Sequence, residues 1–174
     1  LLLYTPIFSY NLYDGIVAGL LLNNDGLYDQ TFQFQVAPSY SSKEKTLIGS
    51  SSFILNLRKY NKTQYLTRFT LSAGTYHFET NSRYSTITPS AAWLWRAKDR
   101  TRNLRKILLV RMRNVFRTID PSVTVENITP DYSILNARYT NIENNLIFYK
   151  KNYVDAQLAK NFTKLSAEFE RRFL

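Results

Sequence analysis

Apolar and polar residues alternate along much of the chain, and this period-two pattern is the strongest constraint on its fold. The clearest example is the segment 31–40, in which three apolar residues alternate with two glutamines: Phe32, Gln33, Phe34, Gln35 and Val36. Similar alternation occurs in 64–76, 89–97, 107–116 and 132–140. Because successive side chains of a β-strand point to opposite faces, each segment predicts a strand with one apolar and one polar face.

Turn-forming residues separate the alternating segments, for example Asn23–Gly26, Asp120–Ser122 and Thr129–Asp131. In a chain of 174 residues, this spacing predicts one all-β domain over 1–174, built as an antiparallel meander. The segment 154–173 is ambiguous. Its apolar residues recur every three or four positions, which fits an amphipathic helix, but part of it also alternates as a strand does. The pattern leaves both structures open.

Residue type indicates which face is outside. A soluble barrel fills its interior with Val, Leu and Ile, whereas the polar face here carries Gln, Asn, Ser, Thr and Arg. Aromatic residues lie near the predicted strand ends: Tyr13, Tyr40, Tyr76, Trp93 and Tyr139. Both features are typical of a transmembrane β-barrel, which has aromatic girdles outside and a polar interior. We expect these residues to face lipid: Phe32, Phe34, Val36, Phe69, Leu71, Trp93 and Leu135. We expect these to face the lumen: Gln33, Gln35, Arg68, Thr70, Asn136 and Arg138.

Several strings resemble one known family. They are YNLYDG at 10–15, FQVAPSYS at 34–41, YSILNARY at 132–139, DAQL at 155–158 and FTKLS at 162–166. This set is similar to the C-terminal outer-membrane β-barrel region of aminopeptidase-N-like zinc metallopeptidases of Gram-negative bacteria. The resemblance implies a strand in the last segment and a barrel that continues beyond this chain. It also implies that the catalytic zinc motif lies in a separate upstream domain, and this chain contains no H-E-x-x-H.

The formal charge of +10 is concentrated in one stretch. Nine lysines and arginines lie between Arg96 and Arg117, against Asp99 as the single acid. We expect four of them to form a patch at a membrane rim that meets anionic lipid or an acidic partner: Lys98, Arg100, Arg102 and Arg105. Other charges are expected to face the lumen: Arg111, Arg113, Arg138, Glu168 and Glu170. For Arg111 and Arg113 the expected partners are carbonyls or the carboxylates of Glu126, Glu168 or Glu170. Nucleic-acid binding is disfavoured, because no base-stacking string accompanies the cations.

Few residues could carry chemistry. The absence of cysteine and the single histidine, His77, exclude disulfides, thiolate metal sites and paired-histidine zinc motifs, so neither a metal nor another cofactor is predicted. His77 is the one candidate general base, but Ser72, five positions away, should point to the opposite face. An interfacial or loop position is therefore favoured for His77. Asp14, followed by Gly15, could form a hairpin turn, whereas the family resemblance implies a position in the opening strand; an inward, hydrogen-bonded role is favoured over a metal role.

Three functions remain open. The first is an outer-membrane barrel segment of a Gram-negative bacterium that anchors a larger metallopeptidase-like envelope protein and serves as a docking wall, without catalysis by this segment. Its partners would be lipid, lipopolysaccharide, the remaining strands of the parent barrel and other envelope proteins. The second is a pore-forming transport protein whose cationic face lines the channel. The third is a soluble β-barrel that binds an apolar ligand.

Overall fold

The computed structural model describes residues 2–26, 30–60, 62–99, 102–119, 131–145 and 147–173. Within these residues the chain forms ten β-strands and no helix. Their bounds are β1 Leu3–Asn11, β2 Gly15–Asn23, β3 Phe32–Ser41, β4 Leu47–Arg58, β5 Gln64–Glu79, β6 Ser82–Arg96, β7 Leu104–Thr118, β8 Tyr132–Asn144, β9 Phe148–Ala159 and β10 Phe162–Phe173.

The ten strands form one sheet in sequence order, so the predicted all-β antiparallel meander is confirmed. Short turns fix the register of neighbouring strands. Asn11 pairs with Gly15 across the first hairpin, and Ala159 pairs with Phe162 across the last. The helix alternative for 154–173 is wrong, because this segment forms the second half of β9 and all of β10, and β9 and β10 pair through twelve residues. In the strand order, β1 and β10 each have one neighbour, and a closed barrel is not shown.

The contacts divide the chain into two compact units. Unit 1 comprises residues 1–54, 70–88 and 113–132, and unit 2 comprises 55–69, 89–112 and 133–174. Strands β4 to β7, and β8 through its first residue Tyr132, contribute residues to both units. The structural features below are therefore described for each unit separately.

Burial in both units is the reverse of that in a water-soluble protein. Among the described residues, four hydrophobic side chains are buried: Val17, Ile48, Leu66 and Val115. Ten polar or charged residues are buried: Asp14, Ser39, Ser41, Asn56, Thr67, His77, Ser82, Asn136, Glu143 and Asp155. Large apolar residues such as Phe8, Leu71 and Phe169 are exposed. Soluble domains bury mainly apolar side chains, whereas in each unit of this chain the buried residues are mainly polar and many large apolar side chains are exposed.

Gly15 makes the first hairpin possible. It follows the turn Leu12–Asp14 and has a φ of 68°, a left-handed conformation that costs glycine little. A Cβ atom at this position would lie 2.9 Å from Ser42 Oγ. This close approach brings the β1–β2 turn against the start of the β3–β4 turn, where the buried polar cluster of unit 1 begins.

Candidate functional site

The buried cluster of unit 1 is built around His77 on β5. Its Nδ1 lies 2.6 Å from Asp14 Oδ1, and its Nε2 lies 3.3 Å from Thr46 Oγ1. An ionised carboxylate can only accept, so Nδ1 donates its proton to Asp14, and Nε2 bonds the hydroxyl of Thr46. The imidazole thereby links β5 to the β1–β2 and β3–β4 turns.

Asp14 is held by residues on both sides of its turn. Its Oδ2 accepts from Asn11 Nδ2 at 2.9 Å, and its backbone N–H donates to Asn11 Oδ1 at 2.7 Å. The hydroxyl of Ser41 donates to the Asp14 carbonyl at 3.0 Å. Burial raises the pKa of Asp14, but hydrogen bonds from Asn11 and His77 to its carboxylate, together with the charge interaction with His77, outweigh it, and the pKa lies below its usual value. Asp14 is therefore held in its ionised form.

The order carboxylate, imidazole, hydroxyl is the order of an acid–base relay. Here the relay is enclosed, since Asp14 is 1% and His77 7% exposed. The turn alternative for Asp14 is correct, as is its hydrogen-bonded role. The loop position for His77 is wrong, because His77 lies within β5 and is buried. Ser72 bonds elsewhere, to the carbonyl of Thr88.

A second buried cluster lies in unit 2, around Asp155 on β9. Its carboxylate accepts from Asn136 Nδ2 at 2.8 Å, Arg138 Nε at 2.9 Å and Gln157 Nε2 at 3.0 Å. Asn136 in turn accepts from Arg111 Nε at 3.0 Å. The sequence pattern did not single out Asp155, although the direct pairing of Arg138 with Asp155 across β8 and β9 follows once the hairpin register is known.

The other charges predicted to face the lumen have partners that agree only in part with those expected. Arg111 donates to the side-chain carbonyl oxygen of Asn136, which is one of the two expected kinds of acceptor, and not to one of the expected glutamates. Glu168 accepts from Tyr153 Oη at 2.9 Å, and Glu170 forms an ion pair with Arg172. Arg113, on β7 in unit 1, is exposed. Glu126 lies outside the described residues.

The four cations predicted to form one rim patch do not share one environment. Arg100 lies outside the described residues. Arg102 donates from Nε to Glu143 Oε1 at 2.6 Å, and this hydrogen bond raises the pKa of Arg102. Lys98 and Arg105 are exposed and line different cavities of unit 2. Because Arg102 is paired with Glu143, its environment differs from those of Lys98 and Arg105.

Comparisons with protein-family models, curated proteins and solved structures found no match to this chain. No group of three or more histidine, aspartate or glutamate residues that could hold a metal ion occurs in the described part of the chain. Among those same residues, no helix is long and apolar enough to cross a membrane. The features that bear on function are therefore the two buried polar clusters, the cations of the β6–β7 connection and the apolar outer face.

Proposed function

We propose that this chain is a segment of an outer-membrane β-barrel that anchors a larger envelope protein of a Gram-negative bacterium. The observation that carries the proposal is the reversed burial, with ionised and amide groups inside and large apolar residues outside. An apolar surface of this kind is unfavourable in water, because the transfer of apolar area out of water has a favourable free energy. In a bilayer the same surface faces hydrocarbon, and the polar face lines the interior.

The buried clusters fit an anchoring segment better than a catalytic one. Asp14 and Asp155 each have their carboxylate oxygens occupied by hydrogen bonds from their own chain. A general base needs a route to substrate, and His77 is enclosed between Asp14 and Thr46. We assign both clusters the task of holding neighbouring strands together, and the chemistry of the parent protein to a zinc metallopeptidase-like domain outside this chain. The reversed burial also argues against a soluble ligand-binding barrel.

The absence of native cysteine allows a direct test. Leu71→Cys and Thr70→Cys are introduced singly, spin-labelled, and reconstituted in phosphatidylcholine vesicles. Leu71 is exposed and lies at the middle of β5, next to Thr70. We expect the label at 71 to collide with oxygen, which dissolves in lipid, and the label at 70 to collide with a water-soluble nickel chelate. Equal accessibility of the two labels to the nickel chelate would contradict the proposal.

A further inference from the structure

One cavity of unit 2 combines ammonium groups with aromatic side chains. Its volume is about 420 Å³, and it lies where β6 passes into β7. Five of its lining residues carry the chemistry of the site: Trp95, Lys98, Leu104, Lys106 and Tyr139. Arg96 also lines it, and none of its lining residues is acidic.

The backbone around this cavity is fixed by hydrogen bonds. The N–H of Arg96 donates to the carbonyl of Thr63 at 2.9 Å, and the N–H of Ala97 donates to the carbonyl of Leu104 at 3.1 Å. The Arg96 guanidinium is held by the chain itself, because it donates to the carbonyl of Tyr60 and lies over the ring of Tyr65. The backbone of Arg96 and Ala97 and the Arg96 side chain are therefore held in place by contacts within the chain.

The two lysines, in contrast, are available. Both Lys98 and Lys106 are exposed, and neither has a hydrogen-bond or ion-pair partner among the described residues. Next to them, Trp95 and Tyr139 present an indole and a phenol ring, with Tyr139 41% exposed. Tryptophan and tyrosine prefer the membrane–water interface, and lysine places its ammonium group at the same level.

A neighbouring cavity of about 460 Å³ has a different composition. It is lined by Asp99, Arg102 and Arg105, among others. Asp99 supplies a negative charge there, and Arg102 is paired with Glu143. The cations predicted as one patch are thus divided between an acid-containing cavity and one without acids.

We propose that the Lys98–Lys106 cavity binds the phosphate of an anionic membrane lipid. The acyl chains of that lipid lie against Trp95, Leu104 and Tyr139. This proposal rests on the outer-membrane location proposed above, and it identifies an anionic lipid as the partner of the cavity between β6 and β7. Two unpaired ammonium groups complement a phosphate, and the aromatic and leucine side chains complement the adjoining hydrocarbon. Arg102 and Arg105 are not part of this site.

Trp93 and Trp95 are the two tryptophans of the chain, so Trp93→Phe leaves Trp95 as the single fluorescent reporter. The full chain with this change is reconstituted in vesicles of equal parts phosphatidylglycerol and phosphatidylcholine, with bromine on the acyl chains of one lipid at a time. The ratio of Trp95 quenching by the two brominated lipids then gives the relative association constant of phosphatidylglycerol and phosphatidylcholine at this site. We expect a preference for phosphatidylglycerol that weakens as salt rises.

Variants locate the preference. Lys98→Gln and Lys106→Gln should each lower the preference for phosphatidylglycerol about fivefold. Where the preference of the parent chain is less than about fivefold, each change should abolish it. Lys106→Arg should retain it, and Arg105→Gln, in the neighbouring cavity, is the matched control and should leave it unchanged. Equal loss in the Arg105 variant, or equal quenching of the parent by both lipids, would overturn the lipid site while leaving the membrane location intact. Displacement by inorganic phosphate alone would indicate an anion site rather than a lipid site. Absence of quenching by either lipid would overturn both proposals.

Discussion

His77 Nδ1 and Asp14 Oδ1 lie 2.6 Å apart, although 63 residues separate them in sequence. The contact ties β5 to the turn between β1 and β2, and both side chains are buried. Because the bond has an ionised acceptor, it is stronger than one between neutral groups.

Replacing Asp14 by Asn should destabilise the chain by about 1–3 kcal/mol, since it removes the charged acceptor and leaves the buried His77 N–H with a weaker partner. The free energy of unfolding is measured by urea titration of the chain folded in detergent micelles. Asp25→Asn, in the exposed β2–β3 connection, is the matched control and should change stability by less than about 0.5 kcal/mol. Equal effects of the two changes would remove the assigned role of Asp14.

The depressed pKa of Asp14 predicts a pH dependence with a definite sign. An ordinary aspartate has a pKa of about 3.9, so the stabilisation from ionised Asp14 is fully present above that pH. It is lost as pH falls through the lower pKa of the folded state. The stability difference between parent and Asp14→Asn should therefore shrink as the solution is acidified below about pH 4. A difference that grew on acidification would contradict this sign.

The two faces of β5 should respond differently to the same charge. Leu71 is 46% exposed on the apolar outer face, and Leu71→Arg should destabilise the chain by about 2–4 kcal/mol in a bilayer if the site is near the midplane. Thr70→Arg, at nearly the same depth on the opposite face, should cost less. Both are measured as unfolding free energies in phosphatidylcholine vesicles. A larger cost at Thr70 would reverse the assignment of the faces.

The strand pattern was predictable from sequence because it depends on residues close together in the chain. The alternation in 31–40 predicted β3, and that in 64–76 predicted most of β5. In β10 the local pattern fitted both helix and strand, and pairing with β9 decides the outcome. Tertiary pairing, which local periodicity does not contain, overrides the helical spacing there.

The polar clusters were less predictable because they depend on register. The contact of Asp14 with His77 requires several hairpins to be aligned, and a shift of one residue would turn a side chain to the other face. Asp155 is one hairpin away from Arg138 and could have been found from the β8–β9 register. The pairing of Arg102 with Glu143 likewise depends on where the β6–β7 connection meets β8.

A double-mutant cycle should measure the strength of the Asp155 cluster. Asn136 is 4% and Asp155 1% exposed, so their hydrogen bond is shielded from water. Asn136→Ala and Asp155→Ala should show a coupling energy of about 0.5–3 kcal/mol in detergent-based unfolding. The exposed pair Tyr153 and Glu168, tested by Tyr153→Phe and Glu168→Gln, should couple more weakly. Additive effects at Asn136 and Asp155 would mean that the cluster does not act as a unit.

The outer edge of β10 should make the 174-residue chain self-associate in detergent-free buffer. The strand order gives β10 one neighbour, β9, so its other edge presents unpaired N–H and C=O groups. Its outward residues Leu165, Phe169 and Phe173 are 74%, 73% and 86% exposed. Hydrophobic area beside an open edge favours pairing between chains.

Charges placed on this face should reduce that association. Leu165→Lys combined with Phe169→Lys is expected to lower the associated fraction severalfold, as measured by size-exclusion chromatography with light scattering, because lysine on an edge strand opposes pairing. Ser166→Lys adds a charge to the other face of the same strand and should have a smaller effect. A monomeric parent chain with a sharp, reversible thermal transition in detergent-free buffer would contradict the prediction, since an open edge flanked by exposed Phe169 should not remain unpaired in water.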